Sequence, residues 1–128
     1  MTLNEASDFW QKGSLKDLKV ADDLFNLGHF QWCLFLYHLA IEKILKAKIA
    51  TFGKEIPYTH NLNRLAKVGD LRLSDSQIKQ LNEITTFNLE ARYDDYKLAF
   101  YQKATHEYSQ KWSQACKDLH LWIKSQIN

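Results

Sequence analysis

Residues 30–50, FQWCLFLYHLAIEKILKAKIA, would place apolar side chains on almost every side of a helix, above all in their first half. A helix of that kind is stable only when neighbouring segments cover most of its surface. Gly53 and Pro57 follow soon after and close the segment, since both residue types interrupt helices. The sequence therefore predicts a central helix over 30–50, around which the rest of the chain must pack.

The segment before the central helix predicts an amphipathic helix between Leu3 and Leu27. Its apolar residues recur at three- and four-residue steps, which places them on one helical face. Gly28 follows in the position of a helix C-cap, because glycine takes a left-handed conformation without penalty. Gly13 and Ser14 lie inside the run and predict a break or a bend there.

The second half of the chain predicts three further helices. Thr59 can cap a short helix, and the SDSQ sequence at 74–77 is a capping box for the next one. From Phe100 nearly to the C-terminus, apolar residues repeat at helical spacing and predict one long helix. No segment shows the alternating pattern of a strand. The predicted fold class is all-α: a single domain, 1–128, in which four main helices and a short one form an antiparallel up-and-down bundle.

Charge and cysteine content exclude several classes of protein. The formal net charge of +2 is too small for a dedicated DNA-binding domain, so nucleic acid would need a local basic patch. Cys33 and Cys116 lie far apart without metal-ligand spacing, so we expect no zinc site, no disulfide and no cofactor. The acidic N-terminus is unlike a signal peptide and no run approaches ~18 apolar residues, so we expect a cytoplasmic protein outside the membrane.

On the central helix, His38, Glu42 and Lys46 stand four residues apart and form one polar stripe. Glu42 four residues before Lys46 is a favourable ion pair, although it contributes only ~0.2–0.5 kcal/mol on an exposed helix. In a structural interpretation, the stripe simply reaches the surface. In a functional one, Lys43 or Lys46 joins Arg92 around a phosphate through charge-assisted hydrogen bonds.

Arg92 lies in LEARYDDYKLAFYQKATHEY, residues 89–108, where it stands before two acidic residues. A structural role would pair its guanidinium with Glu42, Asp94 or Asp95. A functional role would present its planar fork of donors to a phosphate or an RNA backbone. Three aromatic rings nearby can either stack a base or pack in the core or an interface. They are Tyr93, Tyr96 and Tyr101.

Three segments, spread over most of the chain, resemble the HEPN family, the "higher eukaryotes and prokaryotes nucleotide-binding" domains. They are DLKVADDLFNLGHFQWCLFLYHLAIEKILKA at 17–47, PYTHNL at 57–62 and EARY at 90–93. The resemblance implies a compact helical bundle that is often dimeric. It also implies one of several functions: a metal-independent ribonuclease, sometimes paired with a minimal nucleotidyltransferase as toxin and antitoxin, a nucleotide-binding domain, or a scaffold.

The chain departs from the ribonuclease members of that family at one decisive place. Those members carry an Arg-x(4–6)-His motif, whereas positions 97–99 here are Lys-Leu-Ala, so Arg92 matches and the histidine is absent. His106 would lie too far from Arg92 along a single helix. His60, in the THNL sequence, is the better candidate for a replacement imidazole, although a capping and packing role fits it as well.

We therefore expect a HEPN-like nucleotide- or partner-binding module without catalysis of its own. The alternatives are a toxin-type ribonuclease that uses Arg92 and His60, and a scaffold that docks a nucleotidyltransferase. The expected ligand site contains no metal and combines the residues that interrupt the apolar pattern with two tyrosines at its rim. Its members are Arg92, Tyr93, Tyr96, Lys43, Lys46, Glu42 and His38.

Aromatic content predicts a homodimer. The chain has four Trp, six Tyr and seven Phe residues, more large aromatic area than a bundle of this length easily buries. The predicted seam involves the central helix and the last long helix.

Overall fold

The computed structural model describes residues 1–88 and 94–127, and for residues 94–97 it describes the backbone alone. Six α-helices are found in these ranges: α1 Leu3–Asn26, α2 Phe30–Ala50, α3 Leu62–Val68, α4 Asp75–Thr85, α5 Asp94–Lys103 and α6 His106–Ser125. The described residues contain no strand, which confirms the all-α class. None of the helices in these ranges is long and apolar enough to cross a bilayer.

The predicted central helix is confirmed as α2, which contacts each of the other five described helices. Twelve of its 21 residues are buried, including Leu34, Ile41 and Leu45. Its most extensive neighbour is α1, followed by α6. An all-round apolar helix is stable here because other helices cover almost every side of it.

The break predicted at Gly13 and Ser14 is wrong, because α1 is continuous from Leu3 to Asn26. Ser14 is fully buried, and its hydroxyl lies 2.7 Å from the backbone oxygen of Ala40 and 2.6 Å from Nε2 of His120. These two bonds join α1 to α2 and α6 at the position where local propensity favours a bend. Tertiary packing outweighs a propensity cost of about 1 kcal/mol for one glycine.

The predictions for helix ends are confirmed after α1 and at the start of α4, but the predicted cap of α3 is wrong. Gly28 follows α1 with φ of 81°, as predicted for a glycine after a C-cap. The capping box at the start of α4 is confirmed, with Ser74 and Gln77 satisfying each other's backbone amides. Thr59 does not cap α3, however: Asn61 accepts the amide of Arg64, while the Thr59 hydroxyl accepts that of Asn61.

The long helix predicted from Phe100 onward is wrong, because α5 and α6 are separate helices. Thr105 ends the run by capping α6, where its hydroxyl accepts the amide of Tyr108. Glu83 of α4 fixes this junction, since it pairs with Lys103 at 2.8 Å and accepts a hydrogen bond from the Tyr108 hydroxyl. His106 is therefore the first residue of a new helix, α6.

Candidate functional site

The connection between α2 and α3 brings His60 back over α2. Helix α2 ends at Ala50, and Gly53 then takes φ of 68°, a left-handed conformation that glycine adopts without strain. The chain returns along α2, so that His60 lies against Glu42, eighteen residues earlier in the sequence. We call His38, Glu42, Lys46 and His60 the Glu42 cluster.

Glu42 is the centre of the cluster, and both of its carboxylate oxygens have partners. Oε1 lies 2.7 Å from Nδ1 of His60, and Oε2 accepts a hydrogen bond from Nζ of Lys46 at 3.0 Å. The residue is only 4% exposed. Burial by itself raises the pKa of Glu42, but the bonds from His60 and Lys46 outweigh it and lower the pKa below its ordinary value.

The charge of Glu42 fixes the orientation of the His60 ring. An ionised carboxylate can only accept, so Nδ1 of His60 must donate the bond between them. The His60 side chain is 38% exposed, in contrast to the carboxylate that holds it. The cluster therefore presents an imidazole of fixed orientation at the protein surface.

His38 forms the buried side of the cluster. Its Nε2 lies 3.4 Å from the backbone oxygen of His60 and must donate there, because a carbonyl only accepts. Nδ1 has no hydrogen-bond partner among the described residues. Burial lowers the pKa of His38 to about 4, so the ring is neutral at pH 7 and does not compete with Lys46 for the charge of Glu42.

The two lysines of the predicted ligand site, Lys43 and Lys46, contact different residues. Lys46 lies against Glu42, and its Nζ stands 5.1 Å from the centre of the Trp10 ring. Lys43 instead crosses α1, where it pairs with Asp17 at 2.8 Å and passes close to Gly13. Residues three apart on a helix differ by about 60° in direction, and here that difference sends them to separate partners.

The remaining predicted residues are only partly within the described structure. Arg92 and Tyr93 lie outside the described residues, as does the side chain of Tyr96. Tyr101 is 66% exposed on α5, so it does not lie in the core of the monomer. His106 packs against Phe25, 5.4 Å between ring centres, and contacts Phe30 as well.

Chemically, the pairing of a buried carboxylate with a partly exposed imidazole suits proton transfer or the binding of an anion. A carboxylate at one ring nitrogen selects the tautomer and leaves the other nitrogen directed away from it. A protonated imidazole can instead donate to a phosphate. No group of three or more His, Cys, Asp or Glu side chains is arranged to hold a metal ion in the described parts of the chain.

Comparison with known proteins identifies the family. The sequence profile described as "HEPN domain" matches residues 7–126. The chain belongs to the HEPN domain family. Its fold is similar to that of the crystal structure of TT1696 from Thermus thermophilus, with a TM-score of 0.80 at 18% identity over 97% of this chain and 99% of that one. No curated protein matches the sequence significantly.

The two buried histidines, His38 and His120, should make the HEPN fold sensitive to mild acid. Burial lowers the pKa of each to about 4, whereas an unfolded histidine titrates near its ordinary value of about 6.5. Between those values the unfolded state binds more protons, so stability falls as pH falls. From pH 7 to pH 5 each histidine should cost about 2 kcal/mol, measured by urea unfolding at both pH values.

A pair of glutamine variants provides the control for this pH dependence. His120→Gln should remove about half of the difference between the two pH values, because one of the two buried groups no longer titrates. His29→Gln, at an exposed position, should leave the difference intact. Equal wild-type stability at pH 7 and pH 5 would contradict the burial of neutral histidines.

Proposed function

We propose that this HEPN domain is a nucleotide- or partner-binding module without catalysis of its own, acting in the cytoplasm. Its nucleotide site would lie at the Glu42 cluster and take the phosphate of a nucleotide or RNA, with Arg92 as the second cationic contact and Tyr93 or Tyr96 at the rim. The observation that carries the proposal is the partly exposed His60 ring held by the buried carboxylate of Glu42.

Charge balance within the cluster supports an anionic ligand. Lys46 already neutralises Glu42, so an imidazolium at His60 would be a positive charge that the cluster does not cancel. A phosphate at that point would gain a charge-assisted hydrogen bond from the imidazolium. The planar guanidinium of Arg92 would supply the bidentate geometry that phosphate oxygens favour.

In this proposal the two lysines have a supporting part. Lys46 contacts both Glu42 and Trp10, and Lys43 contacts Asp17, so each ammonium group is already paired. Moving Lys43 to a phosphate would take the ion pair from Asp17, and moving Lys46 would leave the buried Glu42 with His60 alone, which costs more because Glu42 is buried. We therefore place His60, rather than Lys43 or Lys46, in direct contact with the ligand.

Thermal melts with millimolar ATP test the nucleotide site. Binding to the folded state stabilises it by RT ln(1 + [L]/Kd), about 2.7 kcal/mol at a hundredfold excess over Kd, which is a readily visible shift of Tm. The wild type should show this shift, while Arg92→Ala and His60→Gln should show little. Arg72→Ala removes an exposed arginine elsewhere and should behave as the wild type. An unshifted wild type, or an equal shift in all four proteins, would refute the site.

A metal-independent ribonuclease is the second candidate, and the Glu42–His60 contact favours it specifically. A histidine oriented by a carboxylate is a suitable general base for removing the proton of a 2′-hydroxyl, and Arg92 could stabilise the charge that develops on the phosphate. Against it stands the sequence at positions 97–99, where Lys-Leu-Ala replaces the expected histidine.

Incubation of the purified protein with structured RNA separates the two candidates. We expect the RNA to stay intact, because the chain lacks the histidine at the spacing that the ribonuclease motif requires. Robust cleavage in the presence of a chelator, abolished by both Arg92→Ala and His60→Gln, would instead establish the ribonuclease. Cleavage that survives both substitutions would indicate a contaminating nuclease.

The proposal also includes association with other protein chains, either a second copy of this chain or a partner protein. A homodimer seam at α2 and α6 is supported by two large apolar side chains exposed on those helices, Trp32 and Leu121. The scaffold alternative, docking of a minimal nucleotidyltransferase, follows from membership of the HEPN family and from no particular contact.

A further inference from the structure

The outer face of α1 carries an open groove of about 760 Å³ that the nucleotide site does not use. Its apolar wall includes Phe9 and Leu15, which are 60% and 48% exposed, and the ring of Trp10, which meets Phe9 edge-on at 5.3 Å. A phenylalanine exposed to that extent contributes little to the stability of the monomer. Exposed aromatic side chains of this kind are typical of the centre of a protein interface.

Lysines line the same groove and give it a positive sign. Lys12 pairs with Asp8 at 2.7 Å, and Lys43, which reaches the groove from α2, pairs with Asp17. Lys16 and Lys19 are exposed and form no ion pair with any residue that the structure describes. The groove therefore combines an apolar wall with two positive charges that are not neutralised locally.

Apart from Lys43, all of these side chains belong to α1. From Phe9 to Lys19 the groove follows α1 for ten residues, about 15 Å at the helical rise, or nearly three turns. A second helix lying along α1 could place apolar residues on Phe9 and Leu15 and acidic residues beside Lys16 and Lys19, at its own three- and four-residue spacing.

We propose that the α1 groove docks an acidic amphipathic helix of a partner protein. Charge complementarity selects the acidic character, and the apolar wall requires an amphipathic segment rather than a purely acidic one. The inference rests on the partner-binding part of the proposed function and is independent of the nucleotide site.

The probe for this proposal is a fluorescent peptide of about five helical turns with leucines on one face and glutamates on the other. Titration of the full-length protein, followed by fluorescence anisotropy, should give a Kd tighter than about 100 µM. The same peptide with lysine in place of glutamate should not bind. Circular dichroism of each protein variant verifies that it is folded.

Two matched double variants locate the binding. K16E/K19E should weaken binding at least about tenfold, because two attractive charges become repulsive. K67E/K79E makes the same charge change at exposed positions on α3 and α4 and should bind as the wild type. Absence of binding to the wild type, or equal weakening by both variants, overturns the proposal.

Other occupants give different results, and each would overturn the assignment. Binding to phosphatidylglycerol vesicles without binding to the peptide would make the groove a lipid-contacting surface. Conversion of a homodimer to monomers by K16E/K19E, seen in sedimentation, would make a second copy the occupant. ATP melts and peptide titration of the wild-type protein separate the two sites: a normal ATP shift without peptide binding refutes the groove alone, and peptide binding without an ATP shift refutes the nucleotide site alone.

Discussion

A carboxylate buried in the middle of an otherwise apolar helix is the constraint on which much of the structure depends. Taking an ion out of water costs several kcal/mol, and only close partners of opposite charge or good hydrogen bonds offset it. Glu42 obtains one partner from its own helix, Lys46, and another from a distant loop, His60. The need to satisfy this one side chain thus attaches the α2–α3 connection to the central helix.

The Glu42 cluster is linked to helices on both sides of it in the sequence. On one side, Lys46 also lies over Trp10 and so links the cluster to α1. On the other, α3 begins two residues after His60, and its first amide, that of Leu62, donates to the Thr85 hydroxyl at the end of α4. A polar centre of this kind fixes the relative positions of the helices. Apolar packing alone specifies those positions less strictly, since apolar side chains tolerate repacking.

Local sequence patterns predicted the elements whose causes are local. The apolar run of 30–50 could only be a covered helix, and Ser74 with Gln77 form a capping box within four residues. The prediction failed where distant contacts decide. Ser14, inside the continuous helix α1, is bonded to His120, more than a hundred residues away, and the separation of α5 from α6 depends on the bonds of Glu83 across three helices.

In the candidate site, too, the sequence predicted the local arrangement but not the contacts between distant segments. Spacing of four residues on one helix was enough to group His38, Glu42 and Lys46, and the structure brings these three together. The partners supplied by other segments were missed: Asp17 for Lys43 and Trp10 for Lys46. Periodicity gives the direction of a side chain on its own helix, but not what faces it. The predictions for Arg92, Tyr93 and Tyr96 concern residues outside the described structure and stay predictions.

Urea unfolding of Glu42→Gln at pH 7, compared with Glu83→Gln, tests the central claim most directly. Glutamine keeps the volume but removes the charge that Lys46 and His60 require, so we predict a loss of roughly 3 kcal/mol in the free energy of unfolding. The pairs of Glu83 are more exposed, and its substitution should cost about 1 kcal/mol or less. Equal small losses in both variants, or a Glu42→Gln protein more stable than the wild type, would contradict the account.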